Sequence, residues 1–225
     1  MTATTLLDVD AAVAHVAAGG LVAYPTETLF GLGADARSET ALARLRAWKG
    51  RDAGQPIALL VEDAAALPGL GFEVTDLAAA LARDFWPGPL TLVLRCRDSF
   101  AAGIAAADGT IGVRCSPHPV AAGLARALAR AGFGPVTATS LNRSGAPPAA
   151  SLAAARALCE PAAPRGVRLL WSEGAPEPTG VASTVVDATG PTLRILREGA
   201  LRAETLQRAL AHDLALELRP EEPFA

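Results

Sequence analysis

Short apolar segments alternate with helical ones along this chain, but two pairs of strand-like segments follow each other with no helix between them. The pairs are 90–94 with 111–114, and 182–187 with 193–196. Strands separated by helices are typical of α/β proteins with parallel strands, whereas strands joined without a helix usually pair antiparallel. The sequence therefore predicts an α/β fold with a twisted sheet of mixed parallel and antiparallel strands and flanking helices.

The other elements follow from apolar periodicity and from residues that cap helices. Helices are predicted over 11–18, 38–48, 75–85, 118–131, 151–158 and 204–211, and further strands over 21–24, 57–61, 135–139 and 167–171. The expected helix caps are Asp8 or Asp10, Ser38, Thr75 and Ser151. We expect one domain over residues 1–225, with a core of about 8–212, a frayed tail over 213–225 and no second C-terminal domain.

Composition excludes several classes of protein. The N-terminus lacks a basic flank and an apolar core, and no run of about 18 apolar residues occurs, so we expect neither a signal peptide nor a membrane span. Three scattered cysteines form no CxxC pair, which argues against a disulfide framework or zinc site and favours the cytoplasm. A net charge of −3 disfavours broad, non-specific binding of nucleic acid.

The basic residues are unusually uneven, because 19 of the 20 are arginine and the only lysine is Lys49. Lys49 ends a predicted helix and is followed by Gly50 and Arg51. Two cations at a helix end often do no more than compensate the helix dipole, but they also suit a phosphate group. The placement of the single lysine beside another cation favours phosphate binding.

Two polar segments come directly after predicted strands. The first, PTETLFGLG, contains Thr26, Glu27 and Thr28, and the second, TSLNRSG, contains Ser140 and Asn142. Ligands of open α/β sheets bind at the carboxyl ends of strands, so both segments are candidate ligand sites. Each pattern also fits an ordinary turn, and both interpretations remain open on the pattern alone.

Further polar residues lie at the ends of other predicted strands. Arg114 ends the strand over 111–114, and Arg197 follows the strand over 193–196, so each is either an anion ligand or a surface ion-pair partner. Ser183 either faces a site or is a surface hydroxyl. We interpret His118 as a capping or packing histidine and not as a catalytic base.

Taken in order, these motifs resemble the threonylcarbamoyl-AMP synthase family, also described as YrdC-like. The matching segments run from about Gly20 to Ala200 and are PTETLFGLGADA, KGR…P, FWPGPLTLVL, IGVR…HP, SLNRSG and STVVD…LREG. The resemblance implies a YrdC-like α/β fold around a large, positively charged cavity. It also implies synthesis of threonylcarbamoyl-AMP and pyrophosphate from L-threonine, bicarbonate or carbon dioxide, and ATP.

The resemblance further implies roles for individual residues and partners. The residues implied to be catalytic and to bind ATP are Lys49, Arg51, Ser140 and Asn142, with Arg197 as a further ATP ligand. The residues implied to bind threonine are Thr28, Arg114 and Ser183. Mg²⁺ is expected to arrive with ATP, held mainly by phosphates and by no predicted protein ligand. Downstream proteins would then transfer the threonylcarbamoyl group to tRNA, which makes tRNA an indirect partner.

The chain departs from the family pattern in three places. Leu141 replaces a common alanine, Asp52 follows Arg51 where proline is usual, and Leu60 stands where some relatives have histidine. Two other functions remain as alternatives. An RNA-binding or ribosome-maturation module is disfavoured by the net charge and by the lack of interleaved aromatic and basic residues. A carbamoyl-AMP-forming protein of the hydrogenase-maturation type would carry zinc-finger and acylphosphatase segments, which the sequence does not show.

Overall fold

The computed structural model describes residues 6–50, 55–160 and 163–217. The helices are α1 (Val9–Ala17), α2 (Glu39–Lys49), α3 (Asp76–Phe85), α4 (Pro119–Arg130), α5 (Leu152–Leu158) and α6 (Ala203–Glu217). The strands are β1 (Leu21–Pro25), β2 (Phe30–Gly33), β3 (Leu59–Leu60), β4 (Leu90–Arg95), β5 (Thr110–Arg114), β6 (Val136–Thr137), β7 (Thr139–Ser140), β8 (Val167–Leu169), β9 (Thr184–Asp187) and β10 (Arg194–Arg197).

The strands form two mixed sheets. A four-stranded sheet has the order β7-β2-β1-β8, and a six-stranded sheet has the order β10-β9-β4-β5-β3-β6. In the larger sheet β4 pairs antiparallel with β5 and parallel with β9, and β9 pairs antiparallel with β10. The predicted mixed α/β architecture is therefore confirmed, but the strands are divided between two sheets where the sequence indicated one.

The helix predictions agree closely with the structure because most of the caps act locally. The side chains of Asp8, Ser38, Thr75 and Ser151 each accept a hydrogen bond from a backbone N–H in the first turn of the helix that follows. The last helix was predicted to end at Ala211 and instead continues to Glu217. The frayed tail over 213–225 stays a prediction, because α6 covers only its first residues and residues 218–225 lie outside the described part of the chain.

The sequence analysis missed β2, which forms a hairpin with β1, and it predicted β6 and β7 as one strand over 135–139. Tyr24 pairs with Gly31 and Pro25 pairs with Phe30, so residues 26–29 form the connecting loop. Tyr24 is fully buried, and a Cβ at Gly31 would lie 2.7 Å from its ring. Glycine at position 31 therefore lets the tyrosine ring approach the backbone of the neighbouring strand closely.

A second close approach sets the position of β10. The side chain of Thr184 in β9 donates a hydrogen bond to the Leu201 carbonyl and accepts bonds from the N–H groups of Gly199 and Leu201. A Cβ at Gly199 would lie 2.6 Å from the carbonyl carbon and oxygen of Ser183. Only glycine fits this contact, and the contact fixes the segment that carries Arg197.

We predict that Gly199→Ala lowers the free energy of unfolding by about 1–3 kcal/mol, as overpacking against backbone does. The control is Gly190→Ala, because no heavy atom lies within 4 Å of a Cβ built at Gly190. That variant is expected to change stability by less than about 0.5 kcal/mol. Urea denaturation of both variants checks the prediction, and equal stabilities would contradict it.

Candidate active site

A cavity of about 500 Å³ is lined by residues from both sheets. The four-stranded sheet contributes β1, β2 and β7, and the six-stranded sheet contributes β4, β5, β9 and β10. The hydroxyl-bearing and charged side chains that line it are Tyr24, Thr26, Thr28, Thr91, Arg114, Thr139, Ser140, Ser183 and Arg197. Hydroxyl groups and two arginines on an otherwise apolar wall suit a small ligand that carries negative charge.

Five of the sequence-predicted site residues meet in this cavity. They are Thr28, Arg114, Ser140, Ser183 and Arg197. Lys49 and Asn142 are not among the lining residues but contact Ser140 from behind, as described below. Arg51 lies outside the described residues.

Arg114 is held by the loop between β1 and β2. Its Nη2 donates to Glu27 Oε1 at 2.6 Å and to Thr28 Oγ1 at 3.1 Å, and Thr28 Oγ1 lies 2.9 Å from Thr26 Oγ1. The Nε of Arg114 is buried and has no hydrogen-bond partner among the described residues. A buried N–H left unsatisfied costs about 1–3 kcal/mol, so a ligand oxygen at this point would be stabilised.

The second arginine, Arg197, is fixed against the start of β9. Its Nη2 donates to the Ser183 carbonyl at 2.8 Å, and Ser183 Oγ lies 2.9 Å from Thr91 Oγ1. Burial, followed by the charge of Arg114, lowers the pKa of Arg197. Two guanidinium groups that oppose each other's charge in one cavity favour an anionic ligand, which relieves the repulsion.

Lys49 is buried behind the cavity wall at the end of α2. Its Nζ donates to the Ser140 carbonyl at 2.6 Å, to the Asn142 carbonyl at 3.0 Å and to Asn142 Oδ1 at 3.1 Å. Ser140 Oγ also donates to Asn142 Oδ1 at 2.6 Å. The Lys and Ser-x-Asn motifs predicted from the sequence are therefore one hydrogen-bonded cluster, in which the ammonium group holds the 140–142 segment.

A second contact between the same two segments was not predicted. The guanidinium of Arg143 lies 4.2 Å from the centre of the Trp48 ring and pairs with Glu160 at 3.0 Å. Glu160 Oε1 also accepts a bond from Trp48 Nε1 at 3.0 Å. Because these residues are far apart in the sequence, no local pattern indicates the cluster, which attaches the loop after β7 to the end of α2.

His118 caps α4, as predicted. Its Nδ1 accepts a bond from the Val120 N–H, and its Nε2 donates to the Pro176 carbonyl at 2.9 Å. Burial lowers the pKa of His118, and both ring nitrogens are occupied. The residue therefore supports the chain around the site and is not available as a base.

The sequence analysis named Glu27 only as part of a motif and did not assign it a role. In the structure its two carboxylate oxygens accept bonds from Arg114 and from Ser116 Oγ, the latter at 2.5 Å. Ser116 and Thr91 were also missed as site residues. A carboxylate directly beside the two threonines of PTET was the available signal for Glu27, but its arginine partner is distant in sequence.

Neither a metal-binding cluster nor a membrane-spanning helix is found among the described residues. No group of three or more His, Cys, Asp or Glu side chains is placed to hold a metal ion there. The carboxylate nearest the cavity, Glu27, is already engaged by Arg114 and Ser116. No helix in the described part of the chain has the length and apolarity needed to cross a membrane.

Comparison with known proteins gives consistent matches. The family model described as Telomere recombination, for the Sua5, YciO and YrdC proteins, matches residues 14–199. A protein of Mycobacterium tuberculosis is 37% identical over 205 residues, which are 91% of this chain and 89% of that protein. Threonylcarbamoyl-AMP synthase of Thiobacillus denitrificans is 36% identical over 186 residues, which are 80% of this chain and 92% of the relative.

A solved structure extends the comparison. Sua5 of P. abyssi, crystallised with L-threonine, matches with a TM-score of 0.78 and 32% identity. The match covers 90% of this chain and 57% of the Sua5 chain, so this chain spans just over half of that relative. The fold and these matches define an α/β enzyme with a cavity of about 500 Å³ between two mixed sheets. The chain belongs to the Sua5/YciO/YrdC family, whose curated members with high similarity to it include threonylcarbamoyl-AMP synthases.

We predict that Lys49→Arg lowers kcat/KM for threonylcarbamoyl-AMP synthesis at least tenfold, or about 1.4 kcal/mol. The larger, planar guanidinium cannot place three donors on the oxygens that the compact ammonium contacts. Arg97→Lys is the control, because Arg97 pairs with Glu73 on the surface. Steady-state kinetics of the two variants checks this, and a wild-type rate for Lys49→Arg would contradict it.

Proposed function

We propose that this chain is an L-threonylcarbamoyladenylate synthase, which forms threonylcarbamoyl-AMP and pyrophosphate from L-threonine, bicarbonate or carbon dioxide, and ATP. The observation that carries the proposal is the cavity in which Arg114, Arg197 and a set of hydroxyl groups face one another. The curated relatives named threonylcarbamoyl-AMP synthase and the threonine complex of P. abyssi Sua5 support the same conclusion.

The reaction combines two steps. The threonine amine, in its uncharged form, adds to carbon dioxide and loses a proton to give a carbamate. A carbamate oxygen then attacks the α-phosphorus of ATP in line, the bond to the bridging oxygen breaks, and pyrophosphate leaves. Neither step needs a nucleophile from the protein, so the protein contributes positioning and stabilisation of negative charge.

The proposal divides the site between the two substrates. Thr28, Arg114 and Ser183 bind threonine, because the unpartnered Nε of Arg114 offers a donor to a carboxylate beside two hydroxyl groups. Lys49, Arg51, Ser140 and Asn142 bind ATP and act in catalysis, with Arg197 as a further phosphate ligand. Arg197 lines the same cavity as Arg114 and Ser183, so its charge is available where the two substrates meet.

In this proposal Mg²⁺ enters the site bound to ATP and is not a resident ion of the protein. The described residues offer no set of carboxylates for a resident ion, so the ion would be held mainly through phosphate oxygens. Cytoplasmic localisation, and transfer of the threonylcarbamoyl group to tRNA by downstream proteins, complete the proposal.

The alternative function as an RNA-binding module is not favoured. Its recognition surface would need exposed aromatic and basic residues in an open arrangement. The two arginines found here line a cavity of about 500 Å³, and one of them is already paired with a carboxylate. A cavity of that kind suits small molecules better than a strand of RNA.

The test is release of pyrophosphate by purified protein with ATP, Mg²⁺, bicarbonate and L-threonine. We expect release to require threonine, to stop with excess EDTA and to resume with added Mg²⁺, with threonylcarbamoyl-AMP detected by mass spectrometry. Release that is independent of threonine would contradict the assignment. Tight, salt-sensitive RNA binding without ATP turnover would favour the alternative.

A further inference from the structure

The ion pair between Glu27 and Arg114 joins the two sheets at the edge of the cavity. Glu27 lies in the loop between β1 and β2, and Arg114 ends β5 in the other sheet. Both side chains are largely buried, with exposed fractions of 18% for Glu27 and 9% for Arg114. Arg114 lines the cavity, whereas Glu27 is not among the lining residues.

Glu27 is held from two sides, and each of its carboxylate oxygens already accepts a hydrogen bond from the protein. Oε1 accepts from Arg114 Nη2, and Oε2 accepts from Ser116 Oγ. Ser116 Oγ in turn accepts a bond from the His118 N–H at 3.2 Å. The carboxylate is therefore anchored to the chain that leads into α4, which makes it a fixed support rather than a group that reacts.

The contacts with Glu27 and Thr28 determine which N–H groups of the Arg114 guanidinium remain available to a substrate. Glu27 and Thr28 both engage Nη2, and this fixes the plane of the guanidinium group. Nε carries a single N–H next to Nη2 and has no partner among the described residues. An Nε–H left without an acceptor beside an engaged Nη2 can donate one hydrogen bond to an oxygen of a second carboxylate.

The charge of Glu27 also matters. Arg114 and Arg197 share one cavity, and the Arg114 charge lowers the pKa of Arg197. Glu27 offsets part of that positive charge when no substrate is bound, so Arg114 stays in place without needing an adventitious anion. A shortened side chain at position 27 would leave Arg114 without its carboxylate partner and free to turn away from this orientation.

We propose that Glu27 is a positioning residue that orients Arg114 so that its Nε donates to the carboxylate of the amino-acid substrate. This inference rests on the proposed function, because the amino acid is the substrate that carries a carboxylate. It assigns no chemical step to Glu27. The effect of Glu27 is expected to pass entirely through Arg114.

The first experiment compares Glu27→Ala and Glu27→Gln by steady-state kinetics of pyrophosphate release. Glu27→Ala is expected to raise KM for threonine at least tenfold while KM for ATP changes less than twofold. Glu27→Gln retains an acceptor for Arg114 and is expected to recover part of the loss. Glu73→Gln, which removes the carboxylate of the exposed pair with Arg97, is the control and is expected to match the wild type.

The second experiment is a double-mutant cycle with Arg114→Ala. If Glu27 acts through Arg114, then Glu27→Ala adds less than a twofold change in KM for threonine to the Arg114→Ala variant. Full additivity, an unchanged KM for threonine in Glu27→Ala, or an equal rise in both KM values would overturn the inference. If Glu27→Ala does not fold, as judged by its melting curve, the same criteria apply to Glu27→Gln and its cycle.

The wild-type measurement separates this inference from the proposed function. Absence of threonine-dependent pyrophosphate release from the wild type would refute the function itself. Threonine-dependent release by the wild type, with the same KM for threonine in the Glu27 variants, would refute only the role of Glu27.

Discussion

The buried guanidinium of Arg114 needs an ionic partner, and the pair that it forms connects the two sheets that line the cavity. Arg114 is 9% exposed, and a charge removed from water to that extent must be paired or it destabilises the fold. Its partner Glu27 comes from the loop of the opposite sheet, so the ion pair joins β5 to the β1–β2 hairpin. Removing one partner of a buried pair typically costs about 3–5 kcal/mol, and here it would also loosen the edge between the two sheets.

On the other side of the site, the buried ammonium group of Lys49 also connects two chain segments through its hydrogen bonds. Lys49 is 4% exposed, and its charge is stabilised by oxygens of Ser140 and Asn142. The end of α2 and the segment after β7 are consequently held together, and the Arg143–Trp48 contact adds to this from the surface. Each of the two buried cations, Arg114 and Lys49, thus connects two chain segments that are distant in sequence. The cavity lies between these two connections.

Features that depend on neighbouring residues could be predicted from the sequence. The caps at Ser38, Thr75 and Ser151 were correct because a capping hydroxyl acts within one helical turn. The antiparallel pairs β4–β5 and β9–β10 were correct because no helix separates their strands. The single lysine drew attention to position 49, where the structure shows a buried ammonium group that donates to oxygens of Ser140 and Asn142.

Features that depend on long-range pairing could not be predicted in this way. Strand β2 contains two glycines and follows a loop rich in hydroxyls, so its local pattern resembles a turn, and it becomes a strand through pairing with β1 and β7. The division into two sheets has the same origin. The roles of Glu27 and Arg143 depend on partners 87 and 95 residues away, and no spacing rule for single segments reaches that far.

The account depends most on the claim that threonine and ATP meet in the cavity between the sheets, with the amino-acid carboxylate on Arg114. A crystal structure of this protein with L-threonine and a non-hydrolysable ATP analogue tests it directly. The account predicts a threonine carboxylate oxygen within hydrogen-bond distance of Arg114 Nε, with Glu27 still on Nη2. Threonine bound elsewhere, with Arg114 Nε still unpartnered, would contradict it.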